Sequence, residues 1–137
     1  MLDKKKQGKR NRAKGGAFEL RVRKDLEKQG YIALKNPLKY NITEQKLEHC
    51  KPKFNPITKS LMMNSGGFPD LIRWRPSFEV YLEGVEVKTN GYLNPEEREM
   101  CRMLLKNYTL SKIYIASKDK RKIIYEDFEV KYGRTSK

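Results

Sequence analysis

Apolar positions first recur with a helical period between Ala17 and Gln29, where Phe18, Val22 and Leu26 return every four residues. Lys28-Gln29-Gly30 adds a cationic last turn and a glycine stop. Tyr31 to Leu34 then reads as a short strand. From Asn36 to Ser65 the pattern dissolves. Pro37, Pro52 and Pro56 interrupt charged residues with scattered apolar ones, which predicts a long loop or insertion holding a few turns of helix around Thr43 to His49. After Gly66-Gly67 the pattern resumes. Asp70 to Trp74 is a predicted strand opened by Pro69, a position strands tolerate. Arg75-Pro76-Ser77 turns the chain, and Phe78 to Lys88 is a longer predicted strand bent at Gly84. Asn90-Gly91 marks a turn before a helix from Pro95 to Asn107. Asn94 is its N-cap, Pro95 takes its first position, and Glu96 and Glu97 lie in its first turn. Met100, Cys101, Leu104 and Leu105 form its apolar face. Lys112 to Ser117 and Lys122 to Tyr125 are the last predicted strands.

A strand–helix–strand crossover from Glu86 to Ile115 implies a right-handed parallel unit. The expected fold is therefore α/β, a small central mixed β-sheet flanked by helices. The 137 residues suit one domain. It is expected over residues 15–132 with 36–65 as its insertion, a flexible basic arm at 1–14 and a flexible tail at 133–137.

Charge narrows the partners. Lys and Arg number 31 against 17 Asp and Glu, a net charge of +14. Lys4, Lys5, Lys6, Lys9, Arg10, Arg12 and Lys14 crowd the arm, yet the remainder still carries 24 basic and 16 acidic residues. Such an excess repels itself unless a polyanion meets it, and nucleic acid is the first candidate. The arm cations are expected to track phosphates without reading sequence. Arg21, Arg23, Lys24, Lys51, Lys53, Arg73 and Arg75 are further candidates, and Trp74, Phe54 and Tyr92 are candidates for stacking on unpaired bases. No apolar run reaches membrane-spanning length and the N-terminus lacks a signal-peptide core, so a cytoplasmic setting is expected, a host's if the source is viral. Cys50, Cys101 and the single His49 make no zinc-spaced set, and free thiols are the expectation.

The chemistry-bearing stretch is Val85-Glu86-Val87-Lys88. Strand alternation puts the two valines on one face and the acid and amine together on the other. Asp70 opens the preceding predicted strand, and if the two strands are neighbours the carboxylates converge. Paired carboxylates suit a hard divalent cation, which polarises a phosphodiester and acidifies a water. Lys88 beside that water would act either as an ammonium offsetting phosphorane charge or as an amine accepting a proton. Glu19 lies near Val22 and Leu26 on the helical wheel, either as a partner of the metal or a cation, or as a first-turn acid favouring the helix dipole.

These residues resemble the signature of the PD-(D/E)xK nuclease superfamily, the restriction-endonuclease-like fold: Pro69-Asp70 matches its first half and Glu86-Val87-Lys88 its second. Lys14-Gly15-Gly16-Ala17-Phe18-Glu19 is similar to the opening helix of archaeal-type Holliday junction resolvases. Gly66 to Ile72, Glu86-Val87-Lys88 and Leu93-Asn94-Pro95-Glu96-Glu97 are similar to the VRR-NUC branch, which usually has glutamine where Glu97 stands. The resemblance implies Mg²⁺-dependent DNA cleavage, with Mn²⁺ able to substitute. Asp70, Glu86, the Val87 carbonyl and Glu19 would serve the metal, Lys88 would assist the nucleophile, and a homodimer would act on branched DNA. The leading expectation is a structure-specific endonuclease acting on Holliday junctions. Its rivals are another nuclease of that superfamily (nicking, mismatch or foreign-DNA cleavage) and a non-catalytic basic DNA-binding module.

Overall fold

A computed structural model describes residues 4–50, 53–62, 67–77 and 79–134, with the backbone alone over 4–13, 53–55 and 60–62. Helix α1 (Lys4–Lys28) is followed by strand β1 (Ile32–Lys35). Two short hairpins come next, β2 (Leu38–Asn41) with β3 (Lys46–His49), and β4 (Lys53–Asn55) with β5 (Ser60–Met62). The remaining elements are β6 (Leu71–Trp74), β7 (Glu83–Val87), α2 (Pro95–Lys106), β8 (Lys112–Asp119), β9 (Lys122–Asp127) and α3 (Phe128–Tyr132).

The expected α/β architecture is present. Five strands form one mixed sheet in the order β1-β6-β7-β8-β9. Only β7 and β8 run parallel, joined through α2 as the crossover requires, while the other neighbours are antiparallel. Strand alternation divides the core into two layers. On one face Val85, Leu71, Ala33 and Ala116 pack against Phe18, Val22 and Leu26 of α1. On the other, Ile113 and Ile115 pack against Cys101, Leu104 and Leu105 of α2 and against Phe128 of α3. The four-residue apolar repeat of α1 is thus its buried stripe. The helix stops as expected, with Gly30 at φ 92° and the Tyr31 N–H donating to the Leu26 carbonyl at 3.0 Å.

Three elements differ from expectation. The basic segment before Gly15 is helical from Lys4, continuous with the core-packed part of α1, rather than an irregular arm. Lys, Arg, Gln and Ala propagate a helix well once a packed segment has nucleated it. The helix expected around Thr43 to His49 is a hairpin instead: β2 and β3 pair around a turn in which Gln45 takes φ 52°, and the Asn41 side chain accepts from the Glu44 N–H. The insertion therefore carries regular structure, and Tyr40 anchors it in the α2-side core. The strand expected over Phe78 to Lys88 is shorter, Glu83–Val87, and Phe78 lies outside the described residues.

Two close approaches hold β6 and β7 where the site needs them. A Cβ on Gly84 would sit 2.6 Å from Pro69 Cγ and 2.8 Å from Leu110 Cδ1, so only glycine lets Pro69 lie across β7. Gly67 is similarly pressed against the Asn36 carbonyl. Gly84→Ala should cost about 1–3 kcal/mol through overpacking. A thermal melt checks this, and an unchanged midpoint would show that Pro69 can move aside freely.

Candidate active site

The β6–β7 pairing brings the two predicted acids together. Leu71 opposes Val85, so Asp70 at the mouth of β6 faces Glu86. Each acid is tied to the backbone beside the other. The Asp70 N–H donates to Glu86 Oε1 at 3.0 Å, and the Val87 N–H donates to Asp70 Oδ2 at 2.9 Å. Val85 faces α1 and Val87 packs at the edge of that layer, leaving Glu86 on the α2 side as alternation requires.

Asp70 itself is placed by a residue that the sequence pattern did not single out. Asn36 is buried; its N–H donates to the Asp70 carbonyl at 2.9 Å, its side-chain amide to the Pro69 carbonyl at 2.9 Å, and its Oδ1 accepts from the Leu38 N–H at 3.0 Å. One asparagine thus holds the Pro69–Asp70 turn from both sides. Its signal in the sequence was slight, an Asn-Pro step like any loop opening.

Glu97 is the second missed partner. It sits at the third position of α2, where its carboxylate completes a capping box: Glu97 N–H donates to Asn94 Oδ1 at 2.8 Å and Asn94 N–H donates to Glu97 Oε1 at 3.0 Å. Its other oxygen forms an ion pair with Lys88 Nζ at 2.7 Å. Glu86 is also in side-chain hydrogen-bond contact with both Asp70 and Glu97. The cluster therefore joins three carboxyls and one ammonium. An acid in the first turn of a helix has an ordinary explanation in the dipole, which hid this second role.

The electrostatics follow from burial and crowding. Glu86 is only 3% exposed, and desolvation, then the hydrogen bond and negative charge of Asp70, push its carboxyl far above the usual range. Burial works to lower the Lys88 ammonium, but its hydrogen bond to Glu97 and the charges of Glu86, Glu97 and Asp70 together raise it. Burial works to raise Glu97, but the hydrogen bonds from Lys88, Asn94 and Glu86 bring it below its ordinary range. Lys88 is thereby held as an ammonium. Beneath the cluster, burial and the charges of Glu86 and Glu97 keep the Cys101 thiol protonated, and both cysteines are free.

Glu19 lies half-buried near the same carboxylates. Burial and the negative charge of Asp70 raise its carboxyl, while Lys35 and Arg23 oppose the rise. Glu19 lies well inside α1, which starts at Lys4, so it is not a first-turn acid favouring the helix dipole. Among the described residues, no three His, Cys, Asp or Glu side chains are already arranged as a ligand set. The donor set nonetheless suits a hard cation. Its oxygens are carboxyl, and burial with crowding holds a proton on Glu86 that a cation could replace.

The remaining candidates divide. Arg73 is buried, paired with Glu83 at 3.0 Å and stacked over the rings of Tyr31 and Tyr114 at 4.2 and 4.4 Å, so it is a structural residue and not a DNA contact. Arg75 also covers Tyr31, and Arg23 pairs with Glu27. Tyr92 is exposed and Trp74 is partly buried on β6. Gly66 and Lys51 lie outside the described residues, as do the side chains of Lys4, Lys5, Lys6, Lys9, Arg10, Arg12, Lys53 and Phe54. Among the described residues no helix is long and apolar enough to cross a membrane.

A carboxyl whose proton is held more tightly in the fold than in the unfolded chain contributes stability below its ordinary range and loses it as pH rises. In EDTA, Glu86→Gln should therefore melt above wild type, by a margin that widens from about pH 5 to about pH 8. A pH-independent difference between the two melting curves would mean that Glu86 does not titrate in this range. No family model, curated protein or solved structure matches the chain.

Proposed function

We propose that this chain is a divalent-metal-dependent endonuclease of the PD-(D/E)xK type that hydrolyses phosphodiester bonds in DNA. The observation that carries the reading is the convergence of Asp70 and Glu86 from adjacent strands, with Lys88 held in the same cluster. A site that is hungry for positive charge, set in a chain of net charge +14, suits a reaction that brings a metal cation and a polyanion together.

Asp70 and Glu86 would hold the ion, with the Val87 carbonyl and Glu19 in support. Bound there, Mg²⁺ or Mn²⁺ would supply Lewis-acid polarisation of the phosphate and a more acidic water. The chain's own groups do the rest. Reciprocal hydrogen bonds to the Asp70 and Val87 amides fix the two carboxylates, and Asn36 fixes the turn that presents Asp70. Lys88, clamped by Glu97, works as an ammonium: it donates toward the attacking oxygen and offsets the charge that builds on the phosphorus centre. General-base action by Lys88 is disfavoured, because every charged neighbour raises its pKa. Glu97 acts through Lys88 as a positioning residue.

The proposed substrate is branched DNA, with four-way junctions preferred and a homodimer making symmetric cuts. Incubation with a four-way junction, linear duplex and single strands in Mg²⁺ tests this. Symmetric junction cuts are expected, cutting of the other forms alone would point to a different nuclease role, and binding without cutting in either ion would leave a DNA-binding module.

Asp70→Asn and Lys88→Ala should abolish cutting and leave DNA binding nearly intact, measured by gel assay and anisotropy on the same preparations. Full activity in either variant removes that residue from the mechanism. Glu97→Gln keeps a side-chain acceptor for the helix cap but removes the anion from Lys88. It should lower turnover by about 10- to 100-fold, the range typical of supporting residues, and should move the alkaline limb of the pH–rate profile to lower pH. An unmoved profile would reduce Glu97 to a capping residue.

A further inference from the structure

On the α1 side of the sheet, a cleft of about 660 Å³ opens between α1 and the segments at the ends of β7 and β8, lined by Lys14, Gly15, Ala17, Phe18, Arg21, Thr89 and Lys118. Its two walls are continuous in sequence with the cluster: Phe18 precedes Glu19 on one side, and Thr89 follows Lys88 on the other. The Lys118 N–H donates to the Thr89 carbonyl at 3.3 Å, and the Lys88 N–H to the Ala116 carbonyl at 2.9 Å, so the β8 wall moves with the strand that bears Lys88. Among the described residues, three cations and no acid line the cleft. The Arg21 guanidinium donates to the Arg121 carbonyl, which holds it at the rim while its other N–H groups stay available.

The glycines supply an independent sign. Gly15 and Gly16 lie inside α1, where glycine weakens a helix. Neither has a positive φ, and a Cβ at either would meet nothing within 4 Å. Nothing in the packing of the described residues calls for them. Their use is intelligible if something outside the chain approaches the helix backbone there.

We propose that this cleft seats the phosphodiester backbone of a nucleic-acid strand next to the cluster, with Lys14, Arg21 and Lys118 as its phosphate contacts and Gly15 as the point of closest approach. Phosphate recognition by such a set is geometric and sequence-independent, as a backbone contact must be. The α1 backbone runs about 15 Å further toward its N-terminus, over a stretch whose sequence holds Lys4, Lys5, Lys6, Lys9, Arg10 and Arg12. The assignment of ligand class rests on the nuclease reading of the neighbouring cluster, but the cleft is testable without catalysis.

Binding of the full chain to fluorescein-labelled DNA and RNA duplexes, followed by anisotropy in EDTA, is the test. Lys14→Gln/Lys118→Gln should weaken binding about 10-fold at low salt and flatten the log–log salt dependence by about 1.8. Lys39→Gln/Lys106→Gln, the same charge change at exposed positions away from the cleft, should do much less. Gly15→Leu should melt at or above wild type and yet bind several-fold more weakly, because its side chain fills the cleft. Equal losses in the two double variants, or unimpaired binding by Gly15→Leu, would overturn the cleft as the seat. Failure of the cleft and failure of the nuclease reading are separable. Normal DNA cutting with insensitive cleft variants sinks only the cleft, while cleft-dependent binding without cutting in Mg²⁺ or Mn²⁺ sinks only the nuclease. A preference for the RNA duplex that the cleft variants abolish supports the cleft and changes the nucleic acid.

Discussion

The site depends on the lateral contact between the mouth of β6 and the end of β7. Two antiparallel strands whose ladder ends at Leu71 and Val85 would ordinarily fray one residue further on. Here the side chain of each next residue reaches across to the other strand's backbone, Glu86 to the Asp70 amide and Asp70 to the Val87 amide. Backbone amides that would otherwise need another partner are satisfied by side-chain carboxyl oxygens. The same two bonds therefore close the sheet and orient the acids. Function and local fold share one set of contacts, so neither can be altered alone.

That contact requires an acid in a place where acids are expensive. Glu86 is buried against Cys101 and the first turn of α2, and it has two carboxyl neighbours and one ammonium. The crossover supplies the relief available within the chain. Because β7 leads through a turn into α2, the amine at the end of the strand and the acid in the first turn of the helix meet, and the capping box fixes that acid in turn. The Lys88–Glu97 pair neutralises itself, so Glu86 holds a proton for want of another positive partner, and the cluster remains a receptor for a cation that would displace it. Retaining a buried acid pair at a cost in stability is the pattern expected where strain is kept for function.

What the sequence discloses tracks the range of the interaction. Period-two alternation in Val85-Glu86-Val87-Lys88 and the four-residue stripe of α1 are local, and both predict the buried faces correctly. The α2 cap is likewise local and was legible in Asn94-Pro95-Glu96-Glu97. Contacts that join distant segments left no local trace. Asn36, 33 residues from Pro69, looked like the start of a loop, and Arg73 looked like a surface cation although its strand buries it between two rings. Glu97 was visible as a cap and hidden as a partner of Lys88, because one role suffices to explain the residue. The N-terminal segment was misjudged for a related reason. Its charge pattern lacks periodicity, and its helicity follows from continuity with residues that are packed some way further on.

Charge of opposite sign is laid out on two length scales. The chain as a whole is strongly positive, and basic side chains line the cleft beside the cluster. Around Asp70 and Glu86 the balance reverses: Glu19 feels the charge of Asp70, and Glu86 has Asp70 and Glu97 beside it against the single ammonium of Lys88. Screening at physiological salt limits exposed charges to about 8 Å. An approaching polyanion therefore meets the cationic exterior before it meets the acids, whereas a small divalent cation can enter the cluster itself. Acids at that centre would repel a phosphate if they stood alone. Compensated by an ion they would no longer do so. A uniformly basic surface would bind the strand and leave the cation outside, and a uniformly acidic one would do the reverse. The two fields together are what the proposed reaction, with a cation and a polyanion at one site, requires.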